Sequence, residues 1–434
     1  MRMTQQSVLP ASVWAATAIK APAYHPVASS STTDVAIVGA GYTGLSTALH
    51  LARAGVETTV VDASEPGWGA SGRNGGQIIA GLKFNPDKLE ALFGAQLGSA
   101  IVETTGAGAS LVASLIDAYK IDCHPIYSGW VQAAHGQKAY DEIVVPRATQ
   151  WASRGVRTEL LNKQQIALAI GTPPSLYVGG WHDSRGGVLQ PLSYARGLAA
   201  AAMSEGATVH ACAPVRRLRR EGERWILEFD NSTITANKVV LATNAYTDDL
   251  WPGLRQTVVP VTSFQIATYP LDGTIRDNII PGGQGVTDTR RLLLYFRQDH
   301  EGRLIMGGRC PVEDSPTMTD ASALRATIAK TFPQAARAPI QFLWSGKVAL
   351  TKDSLPHIHL LAPNLYTALG CNGRGVAACT TLGKVMAQFV RGASAEELPL
   401  PVSAPDQFAL HALRKVGVLL MSQYYRLLDR LEAQ

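Results

Sequence analysis

Three glycine-rich stretches carry the chemistry this sequence can support. The first, Gly39-Ala40-Gly41-Tyr42-Thr43-Gly44, follows the apolar run 34–38 and precedes a helical pattern over 45–54 that stops at Gly55. Gly39 permits a tight turn, Gly41 lets backbone approach a pyrophosphate, and Gly44 lets helix and strand pack closely. The helix start adds free N–H groups and about half a positive charge. A second strand-like run, 57–61, ends at Asp62, with Ala63 beside it. A carboxylate there can accept hydrogen bonds from ribose hydroxyls. Strand, turn, helix and strand together form a dinucleotide-binding unit.

The second stretch is Gly67-Trp-Gly69-Ala70-Ser71-Gly-Arg73-Asn74-Gly75-Gly76-Gln77. A nicotinamide dehydrogenase needs no such loop directly after its second strand. A long cofactor folded over the first domain does, which favours FAD over NAD. Small residues let the backbone reach the ligand. Ser71, Arg73, Asn74 and Gln77 supply donors, and Arg73 could neutralise pyrophosphate charge. The third stretch, Gly370-Cys-Asn-Gly373-Arg374-Gly375-Val376, is another strand-to-helix turn, between a strand at 365–369 and a helix at 376–390.

The elements that must position these turns interleave. Strand patterns fall at 129–134, 208–211, 239–243, 263–268, 292–297 and 365–369, and helical patterns at 86–119, 191–205, 322–331 and 376–390. The domains are therefore expected to be discontinuous. Residues 1–33 read as an extended arm, interrupted by Pro10, Pro22 and Pro26, and not as a signal peptide. A cofactor domain takes 34–85, 186–250 and 345–395, a substrate domain takes 86–185 and 251–344, and 396–434 holds a C-terminal amphipathic helix. That helix carries Arg414, Lys415, Arg426 and Arg430 along an apolar stripe. Such helices more often pack on their own protein, but a basic one can lie on a membrane surface. No uninterrupted run of about 20 apolar residues marks a transmembrane helix.

Composition excludes several classes. The 434 residues are 46% hydrophobic and 17% charged, which is globular and not disordered. A net charge of +5 is a small excess for this length, so nucleic acid is not an expected partner. The basic run Arg216–Arg220 is followed by Glu221, Glu223 and Glu228 and reads as a solvated strand and turn, which also argues against a flavin-dependent tRNA-modifying protein. Five cysteines without a C-x-x-C pair suggest reduced thiols in the cytoplasm, not a disulfide framework or a zinc cluster. His182, His357 and His359 lack ligand spacing, so no metal is expected.

On the strings 69–76, 186–191 and 370–376 the chain resembles the FAD-dependent amine and amino-acid oxidoreductases of the D-amino-acid oxidase and sarcosine oxidase superfamily. Gly69-Ala-Ser-Gly-Arg-Asn-Gly-Gly76 is similar to the branch that holds γ-glutamylputrescine oxidase and bacterial L-pipecolate oxidase. The resemblance runs from about Asp34 to Val390. It implies an α/β fold: a Rossmann-type FAD-binding domain with an interleaved α+β substrate domain containing a large mixed, antiparallel-rich sheet. It places Val215 at the adenine, Ala242 and Thr243 near the same end of the cofactor, and Gly346 beside the flavin ring. It places Gly373, Arg374, Gly375 and Val376 at the flavin's pyrimidine edge. Amides of Gly375 and Val376 at a helix start would stabilise negative charge there.

Departures from the family pattern shape the remaining expectations. The stretch 347–351 lacks the cysteine that links flavin in monomeric sarcosine oxidases, so FAD is expected to be non-covalent. The family's carboxylate-binding lysine falls on Ala377. Substitutes are Tyr295, Arg297, Arg309 and Arg374. The lysine that helps oxygen accept electrons falls on Ile305, so the acceptor is expected to be a quinone or a dye, with oxygen slow. The implied activity is oxidation of the C–N bond of a small amine or amino acid to an imine. The substrate of first choice is a secondary amino acid such as L-pipecolate. The alternatives are γ-glutamylputrescine or another primary amine, or a D-amino acid. The setting is cytoplasmic, with the C-terminal helix touching the inner membrane face.

Overall fold

The computed structural model describes residues 8–310 and 318–432. Two eight-stranded sheets dominate it. In the first, the apolar strand Ser31–Val38 lies between Thr58–Val61 and Thr233–Leu241, with Thr208–His210 and Leu365–Leu369 outside them, all parallel. His357–Ala362 closes one edge antiparallel, and the hairpin Arg217–Glu221 and Arg224–Glu228 pairs onto Thr233–Leu241. Val35, Ala36 and Ile37 are at most 1% exposed, as a strand covered on both faces requires.

Helices cover this sheet. Tyr42–Ala52 packs against Gly375–Val390 so closely that a Cβ on Gly383 would lie 2.5 Å from the Ser46 Cβ. The Ser46 hydroxyl donates to the Thr380 carbonyl at 2.7 Å across that contact. The run Pro86–Tyr119 is long and apolar enough to cross a membrane by length and composition, which the absence of an uninterrupted apolar stretch did not suggest. It is two helices, Pro86–Gly106 and Gly108–Tyr119, the first interrupted at Gly94 (φ 78°), and half of its apolar window is buried against the rest of the fold.

The second sheet runs in the order Ile340–Leu350, Val259–Thr268, Leu304–Cys310, Tyr295–Gln298, Gly285–Asp288, Trp130–Ala134, Gly179–Asp183, Thr158–Asn162. Every pairing is antiparallel except that of Gly285–Asp288 with Trp130–Ala134. The fold is therefore the α/β class expected, with a large mixed second sheet. One boundary differs. Residues 345–350 belong to this second sheet, because Val259 to Thr262 pair with Leu350 to Lys347.

The arm also differs from an extended chain. Ser12 caps a short helix, Val13–Thr17, whose Trp14 is fully buried. Trp14 packs edge-on to Trp344 at 6.0 Å, and its carbonyl accepts from Gln190 Nε2 at 2.8 Å. Large-to-small replacement of such a residue leaves a cavity costing about 3–5 kcal/mol. Trp14→Ala should lower the urea unfolding free energy by about that amount, measured by circular dichroism, with the denaturant slope unchanged. A midpoint equal to wild type would mean that the arm carries none of the fold's stability.

Candidate active site

The first glycine turn follows from steric necessity. Gly39 has φ +107°, and a Cβ there would lie 2.9 Å from the Ala242 oxygen. A Cβ on Gly44 would lie 1.9 Å from the Gly39 oxygen, so only glycine lets the helix start against its own strand. Gly41 meets nothing within 4 Å except the Ser71 hydroxyl, and so leaves the turn open outward. The Asp62 carboxylate accepts from the Ala40 amide at 2.7 Å and the Ser64 amide at 2.8 Å. Burial pushes its pKa up, and those two amides pull it back. A carboxylate has further lone pairs, so acceptance from ribose hydroxyls stays open to it, with Ala63 exposed alongside. Ala242 donates to Val38 at 2.8 Å, with Thr243 next to it. Half-buried Val215 follows Ala213, whose amide reaches the Asp62 carbonyl at 2.8 Å.

The loop 67–77 is knotted between the two sheets. Ser71 Oγ accepts from the Tyr42 amide at 3.0 Å, beside buried Thr43. The Tyr42 hydroxyl donates to the Ser71 carbonyl at 2.6 Å. Asn74 Nδ2 donates to the carbonyls of Ala70 and Ser71, while its Oδ1 accepts from the Gly76 amide at 2.8 Å. Gln77 Nε2 reaches across to the Val286 carbonyl at 3.0 Å and the Phe296 carbonyl at 3.2 Å. Arg73 is not aimed at the first glycine turn. Its guanidinium stacks on Trp68 at 4.1 Å, and Nε donates to the Trp68 carbonyl at 2.8 Å. A Cβ on Gly69 would lie 3.2 Å from the Tyr246 ring, and one on Gly346 3.0 Å from the Arg73 Cβ.

Two of the four carboxylate-binding candidates are placed in this knot. The Tyr295 ring lies between Gly75 and Gly307. A Cβ on Gly307 would lie 2.1 Å from it, so that glycine makes the room, and the Tyr295 hydroxyl is 2.7 Å from Ser263 Oγ. Arg297 is 3% exposed and spends its Nη1 on the carbonyls of Gly76 (3.0 Å) and Leu189 (2.6 Å), with Nε on Gln298 at 3.0 Å. Its guanidinium is a structural cross-tie, which corrects the expectation that it meets a substrate carboxylate. Arg309 ends the strand Leu304–Cys310, and its side chain lies outside the described residues.

The third glycine turn brings donors and a free cation together. The Asn372 side chain links the turn to strand Ile340–Leu350, accepting from the Thr351 amide at 3.1 Å and donating to the Gly370 carbonyl at 2.6 Å. Asn244 Oδ1 accepts from the Gly370 amide at 2.9 Å. Gly373 has φ +92°, and a Cβ on Gly375 would meet nothing within 4 Å, so the start of helix Gly375–Val390 is open space next to buried Val376. The Cys371 thiol is held well below the ordinary thiol range by the hydrogen bond from Cys379 first, then by the Gly373 amide and Asn244.

Arg374 extends from that turn. It donates to the Ala80 carbonyl at 3.0 Å and lies 5.4 Å from the Trp130 ring. Burial pulls its pKa down, and neighbouring Arg147 adds like-charge repulsion. Arg147 is itself buried, donating to Asn85 Oδ1, Gln132 Oε1 and the Lys83 carbonyl. Asp183, which acts on Arg374 from a distance, is engaged by Arg185 at 2.7 Å. Among the described residues no carboxylate forms an ion pair with Arg374 or Arg147. An arginine stays charged in a protein, so this site lacks an anion.

Reasoning from sequence missed the long-range partners that lock the loop. Gln265 Nε2 and Trp344 Nε1 both donate to the Arg73 carbonyl, at 2.6 and 3.0 Å. Their strands pair directly, Gln265 opposite Trp344, but nothing local in either run signals a contact with residue 73.

The open cradle formed by Gly41, the start of the helix at Gly375 and the donors of the Cys371–Gly373 turn fits a dinucleotide flavin. The site and fold define a flavin-dependent oxidoreductase. The chain belongs to the FAD dependent oxidoreductase (DAO) family, whose pattern matches residues 34–389. It is 31% identical to the γ-glutamylputrescine oxidoreductase of Escherichia coli K12 over 425 residues, covering 97% of this chain and 98% of that one. It is 29% identical to the probable oxidoreductase OrdL of Haemophilus influenzae over 415 residues, covering 94% of each. Its fold matches glycine oxidase from Geobacillus kaustophilus with TM-score 0.71 at 22% identity, over 84% of this chain and 96% of that chain. The protein is an FAD-dependent enzyme.

Gly41→Leu would put a branched side chain against Ser71 at the turn's open side. The variant should purify with flavin absorbance per protein reduced at least about tenfold, with its circular dichroism unchanged. Acid precipitation of the wild type should release flavin into the supernatant. Flavin left in the pellet would overturn the non-covalent assignment.

Proposed function

We propose that this enzyme oxidises the C–N bond of a small amino acid to an imine, with the substrate carboxylate on Arg374. The observation that carries this reading is a half-buried guanidinium without an anionic partner, next to the glycine turn assigned to the flavin. A buried charge left unpaired is costly, and a carboxylate that pairs with it recovers that cost only when bound. Trp130 and Trp181, both at most 2% exposed, keep this side of the site dry, which strengthens the pairing. The Tyr295 hydroxyl, held by Ser263, offers a second polar contact on the same face of the sheet. FAD, when bound, supplies the two-electron acceptor for the substrate's α-hydrogen. The chain's part is to fix the carboxylate so that this hydrogen faces the flavin, and to exclude water.

The preferred substrate is a secondary amino acid of the L-pipecolate type. The second reading, γ-glutamylputrescine, is supported by the E. coli relative that bears that substrate's name. It carries its carboxylate at the end remote from the oxidised amine, so a panel of amines mixed anaerobically with the yellow enzyme separates the two by which one bleaches the flavin. Arg374→Gln should raise KM for the preferred carboxylate substrate on the order of tenfold to a hundredfold. It should leave an amine without a carboxylate unaffected. Equal effects on both would overturn the clamp.

We also propose that the acceptor is a quinone or dye-type oxidant, with oxygen slow, and that the enzyme works at the cytoplasmic face of a membrane. Ile305 is 1% exposed and packs with Trp14, Ala267 and Trp344. Arg297, 5.3 Å from the Trp14 ring, has its donors on main-chain carbonyls, and the side chains of the cluster offer no charge to stabilise developing superoxide. In a stopped-flow instrument, substrate-reduced enzyme should reoxidise faster with an artificial quinone than with dissolved oxygen. The reverse order would overturn this assignment.

A further inference from the structure

The C-terminal helix Arg414–Glu432 is held to the protein by polar contacts, while its inward apolar residues Val418, Met421 and Tyr425 face a cavity. Ser422 and Asp429 are its buried residues, and His411 just before it is buried too. Asp429 and Glu432 both bond Arg291, at 3.3 and 2.7 Å, and His411 Nε2 bonds the Val258 carbonyl at 3.0 Å. The helix is thus pinned at both ends by polar contacts. Between the pins it roofs a cavity of about 740 Å³ lined by Val259, Val261, Leu350, Met421 and Tyr425.

The opposite side is apolar. Leu420, Tyr424, Leu427 and Leu431 recur every three or four residues, which is one continuous stripe of an α-helix. Each is between 54% and 66% exposed. Soluble proteins rarely expose such a contiguous row. The charges on the outward half are all cationic. Lys415, Arg426 and Arg430 are exposed next to the stripe, and among the described residues no carboxylate forms an ion pair with them, while both acids of the helix turn inward to Arg291.

We propose that this helix docks the enzyme on an anionic phospholipid surface, lying in the interface with its leucine stripe among the acyl chains and Lys415, Arg426 and Arg430 at the headgroups. The inference gives a place and a chemistry to the peripheral reading above, and it does not depend on the substrate. Charge selects the occupant. Two copies packed antiparallel on this stripe would set Lys415 near the partner helix's Arg430, like against like, whereas an anionic bilayer meets all three cations favourably. Long basic side chains beside an apolar stripe also reach the headgroup level without lifting the stripe out of the acyl region.

The test is co-sedimentation of the purified holoenzyme with vesicles of equimolar phosphatidylcholine and phosphatidylglycerol, compared with phosphatidylcholine alone. Wild type should pellet with the anionic vesicles and release at high salt. Replacing Lys415, Arg426 and Arg430 by Ala should weaken partition about fivefold per cation removed. The double variant Leu420→Glu, Leu427→Glu should lose sedimentation while flavin content and turnover in solution stay at wild-type values. Both positions are more than half exposed, so these variants keep the fold. Wild type that remains in the supernatant overturns the proposal. Binding that all these variants retain overturns the helix assignment alone and leaves a peripheral protein docked elsewhere. A lipid-free dimer by analytical ultracentrifugation, dispersed by the same double variant, assigns the stripe to a second copy and also overturns it.

Discussion

Arg297 stands in the second sheet, almost without solvent, and spends its guanidinium on two backbone carbonyls, Gly76 and Leu189. A buried cation is tolerated only when its donors are used, and here they are used on the loop that closes the cofactor cradle. The carbonyl of Gly76 also accepts from the Leu189 amide at 2.8 Å, so one oxygen ties three segments together. Gln77 and Gln265 add further ties from the same sheet to the same loop. The loop cannot change shape without breaking several buried hydrogen bonds at once. The two sheets share a hydrophobic cluster that holds Val35 and Ile37 of the first with Trp130 and Trp181 of the second, and the polar knot fixes the loop that runs between them.

The knot explains what was legible in sequence. The turn at residues 39–44 announces itself because its constraints are local: Gly44 collides with Gly39, five residues away. The turn at 370–376 is legible for the same reason, since its positive φ values fall on Gly370, Asn372 and Gly373. The parallel strands were visible as unbroken apolar runs because both their faces are covered. Arg297 ends the strand pattern 292–297, but its partners Gly76 and Leu189 are more than a hundred residues away, and sequence assigned it to the substrate. The arm failed for a related reason. Its prolines signal extension correctly on either side, and Trp14 is helical and buried only because Trp344 and Gln190 wait for it. Strand Ile340–Leu350 resembles a flavin-side segment, yet its hydrogen bonds belong to the second sheet. A resemblance reports proximity, and pairing decides membership.

The two arginines near the site show how a structure separates equal candidates. Arg297 is buried and Arg374 half-buried, and desolvation lowers the pKa of each. Arg297 has three hydrogen bonds to main-chain oxygens. Arg374 has one, to Ala80, and a like-charged neighbour in Arg147. Desolvation without compensation is unfavourable for folding, and such an arrangement persists where a ligand restores the balance. The difference lies in where the donors end, which is why no pattern in the chain could have ranked the two.

Charge is distributed unevenly around the cradle as a result. On one side lie the donors of the turn 370–376 and the cations Arg374 and Arg147. On the other, Trp14, Ile305 and Trp344 form an apolar cluster bordered by Arg297, whose guanidinium lies 5.3 Å from the Trp14 ring with donors on main-chain carbonyls. The amides of the turn and Arg374 favour negative charge at their own edge. The arm helix therefore does more than fill space: by burying Trp14 against Ile305 it closes that side to water, and which carbonyls each arginine's donors reach decides where positive charge remains for a ligand.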